Sequence, residues 1–157
     1  MILSTHALVG AAIGKNIPNP WFIIPISICV HYLLDGLRHG EYLDIRRDQF
    51  KDMYWKVLID LSIGYGLVAA YAISFNLDTT AIFNVGLGTL ISQLSDLLTL
   101  FHRYLPKNKL LGIFRDIHGW AHRYDRNPKY SPERQWTLRN TVNDMLVFVL
   151  ALVILFL

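Results

Sequence analysis

The fold is decided by two apolar segments, Val57–Phe75 (VLIDLSIGYGLVAAYAISF) and Thr80–Phe101 (TAIFNVGLGTLISQLSDLLTLF), which only a short turn separates. A helix crosses about 30 Å of hydrocarbon with about 20 residues, and both segments have that length. Because the connection Asn76–Thr79 is so short, the two segments are predicted to form an antiparallel pair of transmembrane helices.

Three further apolar stretches flank this pair: Ile2–Gly14, Ile17–Leu34 and Thr141–Leu157. The first two are short for a span, and a turn rich in Asn and Pro joins them. Residues 2–34 are therefore interpreted as a helical hairpin that either spans or re-enters the bilayer. A secretory signal peptide is the alternative, but the chain starts without basic residues and His6 interrupts its apolar run.

The composition also indicates a membrane protein. The hydrophobic fraction of the 157 residues is 53% and the charged fraction is 17%, whereas soluble domains have about 25% charged residues. Mean hydropathy is +0.32. Only 10 Gly and 6 Pro are present, which excludes collagen, and the single cysteine excludes a disulfide scaffold.

We therefore predict an all-α polytopic membrane bundle of about five apolar helices and a basic interfacial segment, forming a single domain over residues 1–157. Its predicted parts are the hairpin 2–34, the transmembrane pair 57–101, a cytoplasmic or interfacial segment 102–140 and a C-terminal transmembrane helix 141–157.

Basic residues lie almost entirely at one end of this predicted bundle. If every stretch crosses, 14 of the 15 Lys and Arg residues fall on the face that receives the N-terminus and the two long loops, and only Lys15 falls on the other. The positive-inside rule assigns the basic face to the cytoplasm. Aromatic residues interleave with the basic ones in 102–140, which favours an interfacial segment over nucleic-acid binding. These aromatic residues are Trp120, Tyr124, Tyr130 and Trp136.

Few ionisable side chains occur within the stretches, and they lie at similar depths. An ionisable residue near the bilayer centre costs at least ~2.5 kcal/mol and usually marks a functional site. Each of these residues falls near the basic end of its stretch, within roughly 9 Å at 1.5 Å per residue. Five segments therefore deliver acids and imidazoles to one layer. The residues are His6, His31, Asp60, Asp96 and Asp144, with Asp35 just past the second stretch.

The spacing of two histidine pairs suits metal binding. His31 and Asp35 are four residues apart on one helix face, as are His118 and His122 if that segment is helical. Together with acids from other stretches they offer mixed nitrogen and oxygen ligands, which favour Zn²⁺, with Mn²⁺ or Fe as alternatives. A divalent cation would also offset repulsion between carboxylates that have no Lys or Arg partner within the stretches.

Some of these polar residues also have structural interpretations. His6 is as readily a helix cap or a backbone hydrogen-bond partner as a ligand. Asp144 is expected to pair with Arg139 or Arg123 at the interface, and His39 is expected to be solvated or interfacial. The metal hypothesis therefore depends on the convergence of several residues and not on any single spacing.

Three short motifs carry a family resemblance. They are Thr5-His6-Ala7-Leu8-Val9-Gly10, Ser95-Asp96-Leu97-Leu98 and the segment from His118 to Arg123. They resemble the Thr-His-x-x-x-Gly, Pro-Asp-x-Asp and His-Arg-x-x-Thr-His-Ser motifs of bacterial membrane-bound metal-dependent hydrolases, which are small multipass inner-membrane proteins. The resemblance covers most of the chain loosely. It implies a location in the bacterial inner membrane and supports His6, Asp96, His118 and His122 as metal ligands.

The sequence thus predicts a metal-dependent hydrolase at the cytoplasmic membrane surface, acting on a phosphate ester or a lipid-linked substrate. Asp35 or Asp60 would orient or deprotonate a metal-bound water. Arg115, Arg123, Arg134 or Arg139 would hold phosphate oxygens, and Arg123 is taken as the candidate. The candidate ligands are His6, His31, Asp35, Asp60, Asp96, His118 and His122.

The alternative is a non-enzymatic membrane scaffold or metal-binding subunit, in which the polar layer joins helices or contacts a partner. A proton-coupled carrier is disfavoured, because such a protein needs ionisable groups at the membrane centre and these lie towards one face.

Overall fold

The structure is a computed structural model that describes residues 1–41, 50–126, 128 and 131–157, with the backbone alone described for 50–53. This part of the chain is all-α, as predicted, with seven helices and a short 3-10 turn at Pro132–Arg134. The helices are α1 (Leu3–Asn16), α2 (Pro20–Asp35), α3 (Phe50–Ser74), α4 (Thr79–Ile91), α5 (Leu94–Tyr104), α6 (Lys109–Ala121) and α7 (Leu138–Phe156).

Helix α1 lies at the centre of the fold and packs against α2, α3, α4 and α7. It has 14 residues, so it is only about 21 Å long. Nine of them are buried, including Leu8 and Ala11, which belong to an apolar core with Leu155 and Tyr71 from α7 and α3. The apolar side chains of α1 therefore pack inside the protein rather than against lipid.

Fewer helices are long and apolar enough to cross a membrane than the five predicted. Within the described residues two qualify, over Tyr54–Ser74 and Pro132–Phe156, and there are three spans if Thr79–Ile91 and Leu94–Tyr104 are counted together as one. Helix α2 has 16 residues, too few for the ~20 that a span needs. Only 17% of the apolar window of α3 and 22% of that of α7 are buried, so these two helices present apolar surface outward, which is compatible with a membrane protein.

The stretch predicted as one helix over Thr80–Phe101 is broken. Helices α4 and α5 meet at an angle of 45°, at Ser92 and Gln93. Ser92 Oγ donates to the His6 carbonyl (2.6 Å) and Gln93 Nε2 donates to the Leu3 carbonyl (2.9 Å). These bonds join the break to the start of α1 and direct α5 away from the axis of α4.

The predicted antiparallel pair is also modified, because α3 and α4 both pack chiefly against α1 rather than against each other. The contact of α1 with α4 is very close: a Cβ atom on Gly10 or Gly88 would overlap the backbone carbonyl of the other residue. A Cβ on Gly14 would likewise overlap the backbone of Asn84. Small residues of this kind allow helices to approach closely when apolar surroundings supply little driving force.

The segment 102–140 contains α6 and the 3-10 turn. Helix α6 packs against α5 and α2, and Trp120 at its end is 76% exposed. The 3-10 turn follows Ser131, and α7 begins later, where Thr137 caps it by accepting from Asn140 N–H (3.3 Å). The predicted interfacial Tyr130 lies outside the described residues.

Candidate metal centre

Polar side chains from five segments meet at one end of the bundle. Helix α1 contributes His6, and α2 ends in His31 and Asp35, which its 3.6-residue period places on one face. The remaining members come from the loop after α2, from α5 beyond the helix break, and from α6. These remaining members are His39, Asp96, His118 and His122. Asp96 is partly exposed, and the other members of the cluster are buried.

Four of these residues can place one ligand atom each around a common point. His31 Nε2 lies 3.0 Å from Asp35 Oδ2, and His118 Nε2 lies 3.5 Å from both Asp35 Oδ2 and Asp96 Oδ1. Ligands bound about 2.1 Å from one ion lie about 3.0–3.5 Å from each other in tetrahedral or octahedral geometry. These three separations match that spacing, so His31, Asp35, Asp96 and His118 form a quartet that could hold a metal ion.

Several atoms in this cluster are buried without a hydrogen-bond partner. Among the described side chains these include both ring nitrogens of His31, Asp35 Oδ2 and Asp96 Oδ2. Native proteins rarely leave buried polar atoms unpaired, and an ion is one recognised reason for the exceptions. His31 Nε2 and Asp35 Oδ2 are close but are not aligned as donor and acceptor, which is the arrangement of two ligands that face a shared cation.

The ring of His118 is oriented by hydroxyl groups of α5. His118 Nδ1 lies 3.0 Å from Thr99 Oγ1 and 3.3 Å from Ser95 Oγ. If Nδ1–H donates to a hydroxyl, the lone pair of Nε2 points into the cluster, as a ligating histidine requires. Burial lowers the pKa of His118, partly opposed by Asp96 and Asp35, and so favours the neutral imidazole that binds metal.

His122 enters the cluster in a different way, through Arg134. Arg134 Nη2 donates to His122 Nδ1 (2.6 Å), and Arg134 Nε donates to Glu41 Oε1 (2.7 Å). With Nδ1 accepting, a neutral His122 carries its proton on Nε2, which lies 2.6 Å from His118 Nε2. That separation is shorter than the roughly 3 Å that two ligands on one ion keep. Burial lowers the pKa of His122 to about 4.

A second set of possible ligand atoms shares Asp35 with the quartet and consists of Asp35, His39 and His122. His39 was expected to be solvated or interfacial, but the structure buries it, with 3% exposure. Its Nδ1 lies 2.8 Å from the Leu37 carbonyl, so Nδ1–H donates and the Nε2 lone pair is left without a hydrogen-bond partner among the described residues. Burial also lowers its pKa.

Two predicted ligands, His6 and Asp60, lie around the cluster rather than within either ligand set. His6 Nε2 contacts Asp35 Oδ1 (3.2 Å), and its ring lies 4.3 Å from that of His31. Asp60 accepts from Leu3 N–H (2.7 Å) and Ser4 N–H (3.0 Å), so its carboxylate caps the start of α1. That position suits a carboxylate, since the N-terminus of a helix carries partial positive charge.

Arg123 lies outside both ligand sets, and Asp144 makes none of its expected arginine contacts. Arg123 is exposed, has a left-handed φ of 54°, and lines a polar pocket of about 190 Å³ together with Arg38, His39 and His122. Asp144 is fully buried and accepts from Gly40 N–H (3.2 Å) instead of pairing with an arginine. It therefore secures the loop that carries His39.

The cluster opens on its other side into a larger cavity of about 1180 Å³. Asp96, whose side chain is 28% exposed, lines this cavity together with His118 and His122. No known family, curated protein or solved structure matches the chain, so the chemical interpretation of the centre depends on this geometry.

Sequence reasoning missed three members of the centre: His39, Glu41 and the role of Arg134. A signal for His39 is present, since it continues the row of His31 and Asp35 at four-residue spacing. The helix ends at Asp35, however, and a turn brings His39 back to the cluster. Arg134 was assigned only to phosphate binding, because nothing local links it to His122 twelve residues earlier.

Proposed function

We propose that the chain is a metal-dependent hydrolase that acts at a membrane surface on a phosphate ester or a lipid-linked substrate. The observation that supports this best is the quartet His31, Asp35, Asp96 and His118, with its ligand-like spacing and its unpaired buried atoms. Nitrogen and carboxylate donors together favour Zn²⁺, with Mn²⁺ and Fe as alternatives.

Some residues of the centre would bind a cation, and others would orient the ligands of that cation. A bound divalent ion would lower the pKa of a water molecule to about 7 and so supply hydroxide near neutral pH. Asp35 is buried at the base of the cluster, whereas Asp96 faces the cavity and is within reach of an incoming group. Arg134, held by Glu41, fixes the ring of His122 against that of His118.

Arg123 is proposed to attract anionic groups. The polar pocket that it lines also contains Arg38 and Arg126, and it reaches His39 and His122, which line the larger cavity as well. Arginine suits phosphate because its guanidinium group can donate two parallel hydrogen bonds. This proposal places the phosphate product of hydrolysis between the arginines and the histidine layer.

The proposal is tested by measuring the metal content of protein purified in detergent without chelator, together with metal titration of chelator-treated protein. We expect near-stoichiometric Zn²⁺, Mn²⁺ or Fe, and a loss of affinity of roughly 100-fold or more for His118→Ala, since changes around metal ligands alone cost 10–100-fold. The matched control is His102→Ala on α5, outside both ligand sets. Only trace metal, with none taken up on titration, would contradict the proposal.

A scaffold remains the second candidate, because the cluster joins α1, α2, α5 and α6 and could act as a polar link between helices. His31→Ala and Asp96→Ala separate the two functions. An enzyme loses turnover of phosphate esters and keeps its folded, detergent-soluble form, whereas a scaffold loses its fold or its assembly. Size-exclusion chromatography and thermal unfolding of both variants measure this difference.

A further inference from the structure

The larger cavity is a cleft with an apolar end and a polar end. Val57, Leu61 and Tyr65 of α3 line it, and their four-residue spacing places them on one helix face. Leu97 and Leu100 line it from a second helix, α5. The apolar wall of α3 extends over eight residues, or about 12 Å.

The two walls belong to helices with different partners. Helix α3 packs against α1, whereas α5 packs against α6, α2 and α4. The hydrogen bond from Tyr65 Oη to Gln93 Oε1 (3.0 Å) connects α3 to the break before α5. Leu97 and Leu100 line the cleft and are 44% and 41% exposed. The cleft therefore has exposed apolar side chains next to helices that are apolar enough to cross a membrane.

The polar end of the cleft contains the candidate metal centre and basic groups. Asp96, His118 and His122 line it, and so do Arg103 and Arg115. Arg115 is paired with Asp116 (2.6 Å), and its side chain is 50% exposed. A cation at the centre and two arginines at the rim complement a phosphate group, while leucine and valine walls complement a hydrocarbon chain.

We propose that this cleft binds a membrane lipid with a phosphate head, with the head at the metal centre and one hydrocarbon chain between α3 and α5. The inference rests on the proposed function and names its substrate class. It commits to a lipid rather than to a soluble phosphate ester, because a soluble ester would leave the leucine walls of the cleft without a partner. The hydrocarbon chain of the lipid would enter the cleft laterally from the bilayer.

The test uses full-length, metal-loaded protein in nanodiscs and a series of soluble probes: inorganic phosphate and ethyl, butyl, hexyl and octyl phosphate, each below its micelle concentration. Binding is measured by calorimetry, with empty nanodiscs subtracted. Affinity should rise with chain length, by at most roughly fourfold for each methylene group buried. Equal affinity for inorganic phosphate and octyl phosphate would overturn the inference and identify a soluble phosphate ligand.

Leu61→Trp and Leu97→Trp fill the cleft from opposite walls, so that failure of one variant to fold leaves the other. Each should weaken octyl phosphate binding at least tenfold and leave metal content and ethyl phosphate binding unchanged. The matched control is Ile63→Trp, on the same helix but outside the cleft lining, which should keep the full dependence on chain length. Unchanged octyl phosphate binding in both cleft variants would contradict the inference.

Failure of this inference differs from failure of the proposed function. Stoichiometric metal binding, together with alkyl phosphate affinities that do not depend on chain length, would contradict the lipid proposal and support the metal centre. Alternatively, affinity could rise with chain length to the same extent with added metal and after chelator treatment, with no metal taken up. That result would contradict both the position of the head at a metal centre and the hydrolase.

Discussion

At one end of α1, Ser4, Thr5 and His6 are buried among polar groups, whereas at the other end Gly10 and Gly14 lie directly against the backbone of α4. Both ends are equally inaccessible to solvent. The glycine end gains dispersion contacts from close approach, since each well-placed atom pair contributes a small attraction and many such pairs form. The histidine end instead keeps polar atoms buried without hydrogen-bond partners.

This difference separates the contacts that stabilise the fold from the polar residues that form the candidate site. Buried polar atoms without partners each cost about 1–3 kcal/mol, so the histidine end weakens the metal-free protein. Residues that a protein retains at such a cost are expected at functional sites. The stability of the bundle should therefore depend on the glycine end, and metal binding on the histidine end. Three substitutions test this division, ordered by their expected effect on the stability of the metal-free protein.

The largest effect is expected for Gly88→Ala. Its Cβ would overlap the backbone carbonyl of Gly10, and backbone cannot yield by rotating a side chain. We expect a loss of about 2–3 kcal/mol or more in the free energy of unfolding, at the upper end of overpacking costs. Gly86→Ala on the same helix is the control, because its Cβ would meet no atom within 4 Å. Thermal unfolding in detergent measures both, and equal midpoints would refute close packing as the source of stability.

An intermediate effect is expected for Asp60→Asn. The two carboxylate oxygens each accept one backbone N–H group at the start of α1, and in asparagine one of these acceptors is replaced by an NH2 group, which can only donate. We expect a loss of about 1–2 kcal/mol, from one charge-assisted hydrogen bond and the interaction with the helix end. Metal affinity should remain as in the unchanged protein. A loss of metal comparable to that of His118→Ala would restore Asp60 as a ligand.

The smallest effect on the fold is expected for His31→Leu. Both ring nitrogens of His31 lack a hydrogen-bond partner among the described side chains, so leucine removes a buried polar group without breaking a hydrogen bond. Asp35 would keep its contacts with His6 and His122. The metal-free variant should unfold within about 1 kcal/mol of the unchanged protein, while metal titration shows a loss of roughly 100-fold or more. Strong destabilisation without metal would show that the histidine end also holds the fold, as a scaffold requires.

Much of the fold could be predicted from local features. The length of the apolar segment Val57–Phe75 indicated a span, and α3 confirms it with a candidate span over Tyr54–Ser74. The stretch over Ile2–Gly14 looked similar by composition, yet it became the buried central helix, because apolar residues suit a protein core and a bilayer equally well. Composition alone therefore overestimated the number of membrane helices.

The candidate site was predictable to the same partial extent. His31 with Asp35 and His118 with His122 followed from four-residue spacing, which helices α2 and α6 realise. The break at Ser92 and Gln93 was not predictable, because the bonds that produce it reach carbonyls of α1 almost ninety residues away. The role of Arg134 depends in the same way on a contact that sequence distance conceals.

The sequence by itself determined that the chain is helical and apolar, and that its few acids and histidines stand out from their surroundings, since these are properties of residue type and helical period. Only the tertiary structure decided which of them share a site: it placed Asp35 among histidines from three other segments, assigned Asp60 to the start of α1 and brought His39 into the cluster. The physical reason is that ligation needs atoms about 3 Å apart, and distances of that size between remote segments are set by packing.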